Sequence, residues 1–232
     1  AKFIKDMDFI IIAVPTPVDQ FNHPDLNILL NATETVSNNL KEGVTIIFES
    51  TVYPGTTEEL CIPLIEKTSG KKWKKDFFVG YSPERVSPGD NTKTVSNVVK
   101  IVSGDTEETL KKIESLYKKI IDAGVYLAKS IKIAEASKVV ENIQRDVNIA
   151  LMNELSMIFN KLEINTNDVL KAASTKWNFH NYSPGLVGGH CIGVDPYYLT
   201  YKAQDKGIYP QLILTSREIN NNMVDYIKEK II

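Results

Sequence analysis

Phe9 to Val14 reads FIIIAV, an unbroken apolar run that stops at Pro15-Thr16-Pro17. A strand that alternates apolar and polar residues can leave one face in water. A strand that is apolar at every position needs cover on both faces, as in a parallel sheet threaded between helices. The prolines end the hydrogen-bond ladder where the chain turns onto the sheet edge. The first half of the sequence repeats this unit. Leu26, Leu29, Leu30, Thr33, Val36 and Leu40 predict a helix over 25–40. Val44 to Phe48 is a second buried strand and 55–67 a second helix; Phe77 to Tyr81 and Val98 to Val102 are further strands. Asp105 is a fair N-cap for a helix opening Thr106-Glu107-Glu108. Strand and helix alternate to about residue 127, so the expected fold class is α/β, with a partial doubly wound parallel sheet. Ala1 to Asp8 leads directly into the first apolar strand, the beginning expected of such a domain without its first βαβ unit.

From Ser130 the pattern changes. Ile131 to Leu162 holds neither proline nor glycine and predicts one helix of roughly 30 residues, about 45 Å long. Shorter helices follow over 167–173, 196–206 and 210–230, around a Gly-rich loop, Pro184 to Gly193. The expected organisation is therefore a partial doubly wound domain over 1–129 and a mainly helical one over 130–232. The apolar residues of the long helix, from Ile133 through Val140, Leu151 and Ile158 to Leu162, spread beyond one narrow stripe. Its own domain can cover one face, and the surplus needs a second apolar surface.

Charge and cysteine usage narrow the function. A formal net charge of −2 gives no electrostatic case for nucleic acid as a partner. The run Lys71-Lys72-Trp73-Lys74-Lys75 reads as a solvated loop. No apolar run approaches the roughly 20 residues of a membrane span, so no membrane is expected. Cys61 and Cys191 are far apart and in unlike settings, which argues against a disulfide and for a reducing, cytoplasmic setting. Neither falls at metal-ligand spacing with His23, His180 or His190, so no metal is expected.

Cys191 lies in Gly188-Gly189-His190-Cys191-Ile192-Gly193-Val194-Asp195. Glycines on either side let backbone and ligand approach the sulfur, and a helix beginning near Asp195 adds partial positive charge. Those surroundings suit a nucleophilic thiolate; a structural cysteine in a tight turn is the competing reading. Cys61, on a helix after Glu58-Glu59-Leu60, reads as core. Lys138 and Asn142 are one helical turn apart and share a face, where a cation and an amide can hold an oxyanion; a solvated lysine is the alternative. Glu84 in Tyr81-Ser82-Pro83-Glu84-Arg85 follows a buried strand, at the sheet edge where ligands of open α/β folds bind. Thr16 and Ser50-Thr51 share that edge, as ribose or phosphate contacts or as helix caps.

Taken in order, VPTP, ESTVYPGTT, YSPERVSPGD, EASKVVEN and PGLVGGHCIGVDPYYL resemble the UDP-sugar 6-dehydrogenases of the UDP-glucose/GDP-mannose dehydrogenase superfamily. SPERVSPGD, QRDVNIALMNEL, TKWNF and GHCIGVDPYYLT resemble the branch acting on UDP-N-acetylamino sugars. The resemblance implies a dinucleotide-binding (Rossmann-like) domain, a central helical dimerisation domain and a C-terminal UDP-binding domain, the last being absent from this sequence. It makes NAD the cofactor and a UDP-N-acetylhexosamine the substrate, UDP-N-acetylglucosamine first among them, for surface polysaccharide precursors. It implies a homodimer through the central helices.

It also assigns roles. Cys191 matches the nucleophile, Asp195 the aspartate assisting water, and Lys138 and Asn142 the pair that stabilises oxyanions and holds substrate. Glu84 matches the acid–base glutamate and a cofactor neighbour. Thr16 and Thr51 match cofactor contacts, and Gly188 and Arg85 are placed beside the sugar. UDP-glucose enzymes carry a second glutamate where this chain has Pro88, which suggests a pocket reshaped for an acetamido group. No G-x-G-x-x-G occurs, although the family's first βα turn carries one for pyrophosphate. Rival readings are a catalytically inactive dimerising core, UDP-N-acetylgalactosamine or UDP-N-acetylmannosamine as substrate, and a β-hydroxyacid dehydrogenase, which needs no cysteine in a GGHC loop.

Overall fold

The structure, a computed structural model, describes residues 3–86, 92–189 and 191–231. Pro88, where UDP-glucose enzymes carry a second glutamate, and His190 lie outside them. The chain divides into two units, Ala1–Val139 and Val140–Ile232. No helix among the described residues is long and apolar enough to cross a membrane.

The first unit is built on a five-stranded sheet in the order β1 (Phe9–Ile12), β2 (Val44–Phe48), β3 (Phe77–Tyr81), β4 (Lys100–Gly104), β5 (Val125–Leu127). β2 is the strand the sequence describes best: all five of its residues are buried between parallel neighbours β1 and β3. Each large apolar side chain there contributes roughly 1.5–3 kcal/mol on burial. β1 departs from the expected burial on both faces. It stands at the sheet's edge with Ile10 and Ile12 buried, while Ile11 is 47% exposed.

A second departure is one of direction. β4 runs antiparallel to β3, pairing Gly80 with Gly104 and Tyr81 with Ser103, whereas β4 and β5 are parallel. A parallel return needs a crossover, usually a helix, and the described residues between β3 and β4 form none. Close packing makes glycine necessary at this reversal. A Cβ on Gly80 would lie 2.1 Å from Ile113 Cδ1, and one on Gly104 2.5 Å from the Leu110 amide.

The covering helices are α1 (Asn27–Ser37), α2 (Ile62–Ser69, entered through a π-helical turn at Thr57–Cys61) and α3 (Glu107–Tyr117). Ile113 and Tyr117 of α3 join Ile47, Val102 and Ile121 in one apolar cluster. Asp105 is not the cap of α3. Thr106 takes that place, its hydroxyl accepting from the Thr109 amide at 3.1 Å. The Asp105 carboxylate instead accepts from Trp73 Nε1 (2.6 Å) and the Val79 amide (2.7 Å), tying the basic loop to β3.

The long helix α4 spans Ile131–Lys161, 31 residues, and the boundary between the units falls within it. In the second unit it is joined by α5 (Thr166–Ala173), α6 (Asp195–Asp205) and α7 (Gln211–Ile231). Their buried contacts are unusually polar. Arg217 of α7 pairs with Asp146 of α4 at 2.6 Å, both almost wholly buried, and Asn220 donates to the Asp146 carbonyl (3.0 Å) and carboxylate (2.7 Å).

Candidate active site

In the first unit the strand ends converge as expected of a parallel sheet. The Ser50 hydroxyl bridges β1 and β2 by accepting from the Val14 amide (2.9 Å) and donating to its carbonyl (2.7 Å). Thr16 donates its hydroxyl proton to the Thr51 carbonyl at 2.7 Å, so Thr16 and Thr51 are neighbours at the carboxyl edge. That hydroxyl oxygen keeps acceptor capacity, and the Thr51 side chain is half-buried at the same edge. This donor and acceptor set fits a nucleotide ribose or phosphate.

Glu84 is exposed, and its Oε1 accepts from the amides of Arg85 and Val86, each at 2.7 Å. Arg85 turns its guanidinium onto the Val99 carbonyl at 2.8 Å. Beneath Glu84 lies a cation that the sequence reading passed over. Lys100 is 5% exposed, and its ammonium sits 2.9 Å from Glu49 Oε1, 3.9 Å from Glu84 Oε2 and 3.2 Å from the Pro83 carbonyl. The Tyr117 hydroxyl donates to the same Glu49 oxygen. Burial, reinforced by the Glu49 charge, raises the Tyr117 pKa well above the usual phenol range and keeps it a donor. A signal was available: Lys100 is the one charged residue in NVVKIVSG, and a lysine inside a buried strand needs a partner.

Glu135, also in the first unit, is fully buried on α4. Its carboxylate oxygens accept from the amides of Gly55 (2.6 Å) and Thr57 (2.9 Å) at the start of the π-helical turn. Gly55 has φ +99°, which holds that amide toward the carboxylate at no Cβ cost. Lys138 is half-buried one turn further along the same helix.

In the second unit the structure joins residues 53 apart in sequence. The Asn142 amide donates to the Asp195 carboxylate, both groups buried, and Arg145 donates to the Asn142 carbonyl oxygen. Asp195 opens α6, and its backbone N–H donates to the Cys191 carbonyl at 2.9 Å. Cys191 is exposed in its loop. Gly188 is exposed with open space around it, and Gly189 takes φ +81°. A Cβ on Gly193 would stand 3.1 Å from the Gly189 carbonyl, so that glycine lets the loop close on itself. Cys61 is core, as expected: burial pushes its thiol up to about 12, where it has no thiolate to offer. Seven of the residues named from sequence thus fall into three groups, Thr16 with Thr51, Glu84 with Arg85, and Asn142 with Asp195 and the Cys191 backbone; Lys138 and Gly188 belong to none of them.

Residues 1–121 match the NAD binding domain of the UDP-glucose/GDP-mannose dehydrogenase family, and residues 132–222 match its central domain. The chain belongs to that family. It is 59% identical over 232 residues to protein CapL of Staphylococcus aureus, covering 100% of this chain and 55% of CapL. It is 54% identical to the UDP-N-acetyl-D-glucosamine 6-dehydrogenase of Salmonella typhi, over 99% of this chain and 54% of that one. The solved structure of the UDP-D-ManNAc dehydrogenase from Pyrococcus horikoshii superposes with TM-score 0.88 at 34% identity, over 96% of this chain and 53% of that one. The chain spans about half the length of the curated relatives it matches.

Proposed function

We propose that the protein carrying this chain oxidises the C6 alcohol of UDP-N-acetylglucosamine to the carboxylate, with NAD as cofactor and Cys191 as nucleophile. The observation that carries this reading is the second-unit cluster: an exposed thiol whose backbone is tied to Asp195, with Asp195 held by Asn142. Two NAD⁺, bound one after the other, would each accept one hydride, with Thr16 and Thr51 as the cofactor's contacts in this chain. The Cys191 sulfur adds to the C6 aldehyde carbon, and the carbonyl electron pair moves onto oxygen. Lys138 and the second N–H of the Asn142 amide stabilise that oxyanion. After the second oxidation water attacks the thioester carbon, the C–S bond breaks, and the thiolate leaves. Asp195 orients the water and Glu84 takes its proton. Covalent attachment retains the intermediate between the two oxidations.

The choice of sugar rests on identity: 54% to a UDP-N-acetyl-D-glucosamine enzyme against 34% to a UDP-D-ManNAc enzyme. Arg85 and Gly188 are the proposed neighbours of the sugar. A reactive thiol and NAD both suit the cytoplasm, and the chain's partner is a second copy through the central helices. An assay of the protein with UDP-N-acetylglucosamine, UDP-N-acetylgalactosamine and UDP-N-acetylmannosamine, following NADH, tests the reading. Two NADH per sugar, with the first substrate preferred by kcat/KM, is the expected result. No turnover of any of them would overturn it.

A further inference from the structure

Within the second unit α4 buries three polar side chains, Asn142, Asp146 and Asn153, where an inward helix face usually carries apolar ones. At 3.6 residues per turn Asp146 is about 40° and Asn153 about 20° from Asn142, so the three form one stripe. Asn142 and Asn153 are about 16 Å apart along the axis.

Asn142 and Asn153 each hold one end of the loop that contains Cys191. At the far end Asn142 holds the Asp195 carboxylate, and the Asp195 amide holds the Cys191 carbonyl. At the near end Asn153 grips the backbone of Gly185 twice. Its Oδ1 accepts from the Gly185 N–H at 2.8 Å, and its Nδ2 donates to the Gly185 carbonyl at 3.0 Å. The orientation of this amide is fixed from behind. Asn220 donates its own NH2 to the Asp146 carbonyl and carboxylate, which can only accept, so its Oδ1 is left to accept from Asn153 Nδ2 at 2.8 Å. Arg217 in turn neutralises Asp146. The chain from Gly185 to Asp195 could extend to roughly 33 Å, about twice the axial separation of its two anchors. The span alone therefore leaves Cys191 slack. What restrains it beyond the span are the bonds at Gly185 and those joining Asn142, Asp195 and the Cys191 carbonyl.

We propose that Asn153 is a positioning residue for Cys191, fixing the near end of the loop so that the sulfur meets the aldehyde carbon when it forms. The proposal rests on Cys191 being the nucleophile. Capture of the aldehyde is the step most sensitive to sulfur position, and a displacement of about 1 Å costs roughly 10²-fold. Two substitutions, made in the protein that carries this chain, separate positioning from folding. Asn153→Ala removes the clamp. Gly185→Pro removes the N–H that Asn153 accepts from, sets a ring methylene against the Asn153 oxygen and leaves the side chains of Asp146, Arg217 and Asn220 unaltered, with Gly185→Ala as its control, since no atom lies within 4 Å of a Cβ there.

For Asn153→Ala and Gly185→Pro the expected result is kcat for carboxylate lowered about 10²-fold, with KM changed less than about threefold. NADH per sugar should fall from two toward one, the released aldehyde being trapped by hydroxylamine. Iodoacetamide should alkylate Cys191 several-fold faster without NAD or sugar, a measurement that needs no turnover. If Asn153→Ala fails to fold, Gly185→Pro carries the test alone. A ratio that stays at two NADH per sugar with an unchanged alkylation rate in the folded variant overturns the proposal. Failure of the underlying reading is visible separately, as carboxylate formation by Cys191→Ala.

Discussion

Glu135→Gln tests how the first unit balances burial against hydrogen bonding. Glu135 is fully buried, and burial is the largest influence on its carboxyl. The Thr57 side chain and the Gly55 and Thr57 amides pull the other way, and the Glu58 charge adds to the rise; the balance raises the pKa from 4.5 to about 7. Between those values the folded state binds more protons than the unfolded one, so stability falls as pH rises through the window from 4.5 to about 7. A shift of about 2.5 units corresponds to at most ~3 kcal/mol, or roughly 6–12 °C in Tm for a domain of this size. Glutamine removes the titration. It also turns an N–H toward one of two backbone donors, at a cost of about 1–3 kcal/mol. Thermal melts of both proteins between pH 5 and 8 give the difference directly. The wild type should be the more stable at pH 5, and its advantage should shrink steadily toward pH 8. An advantage that grows with pH would refute the reasoning, because the two amides would then outweigh burial.

Lys100→Met should destabilise the first unit by roughly 3–5 kcal/mol in urea melts, because the Glu49 carboxylate loses its buried cation; a change below 1 kcal/mol would show the pair to be solvated. Lys138→Ala should lower kcat about 10²–10³-fold if it holds an oxyanion, whereas a small rise in KM alone would make it a peripheral binding group. Cys191→Ala should abolish carboxylate formation while Cys61→Ala keeps most activity. At pH 8 iodoacetamide should label Cys191 and leave the buried Cys61 untouched, as mass spectrometry can read. Ile133, Val140, Leu151 and Ile158 are exposed along α4, and Leu162 just beyond it, so the 26.0 kDa chain should sediment as a dimer; a persistent monomer across a broad concentration range would refute the proposed interface.

Much of the fold was legible because period and punctuation carry it. The limits expected for β2 and β3 are those observed, and the long helix, expected over 131–162, spans Ile131–Lys161. β1 ends at Ile12, two residues short of the apolar run, because the run continues past the last paired residue. The β4 reversal was hidden because a short strand reads alike in either direction, and among the described residues between β3 and β4 no helix marks a crossover. Asp105 drew the cap assignment because Asp and Thr are both good caps in sequence. The choice was made by Trp73, 32 residues away, whose indole N–H needed an acceptor.

The site was legible in a different sense. Cys191, Lys138, Asn142 and Glu84 stand in motifs whose residue types suggest chemistry, and local spacing is enough to place them on a loop, a helix face and a strand end. What sequence spacing cannot show is which polar groups are buried together, since that depends on pairings tens of residues apart. Asn153, Asn220, Asp146 and Arg217 look like the solvated polar residues of two amphipathic helices. They are buried in a connected set: Arg217 offsets the charge of Asp146, Asn220 donates to Asp146, and Asn153 links Asn220 to Gly185, while among the described residues Asp146 Oδ2 and Arg217 Nε are left without a hydrogen-bond partner. A core sealed by polar groups of this kind is held in one arrangement, because slipping α7 along α4 by one turn would leave each member unpaired. Apolar ridges would tolerate such a slip far better. The same buried stripe of α4 carries the two residues, Asn142 and Asn153, that bond the two ends of the loop with the exposed thiol.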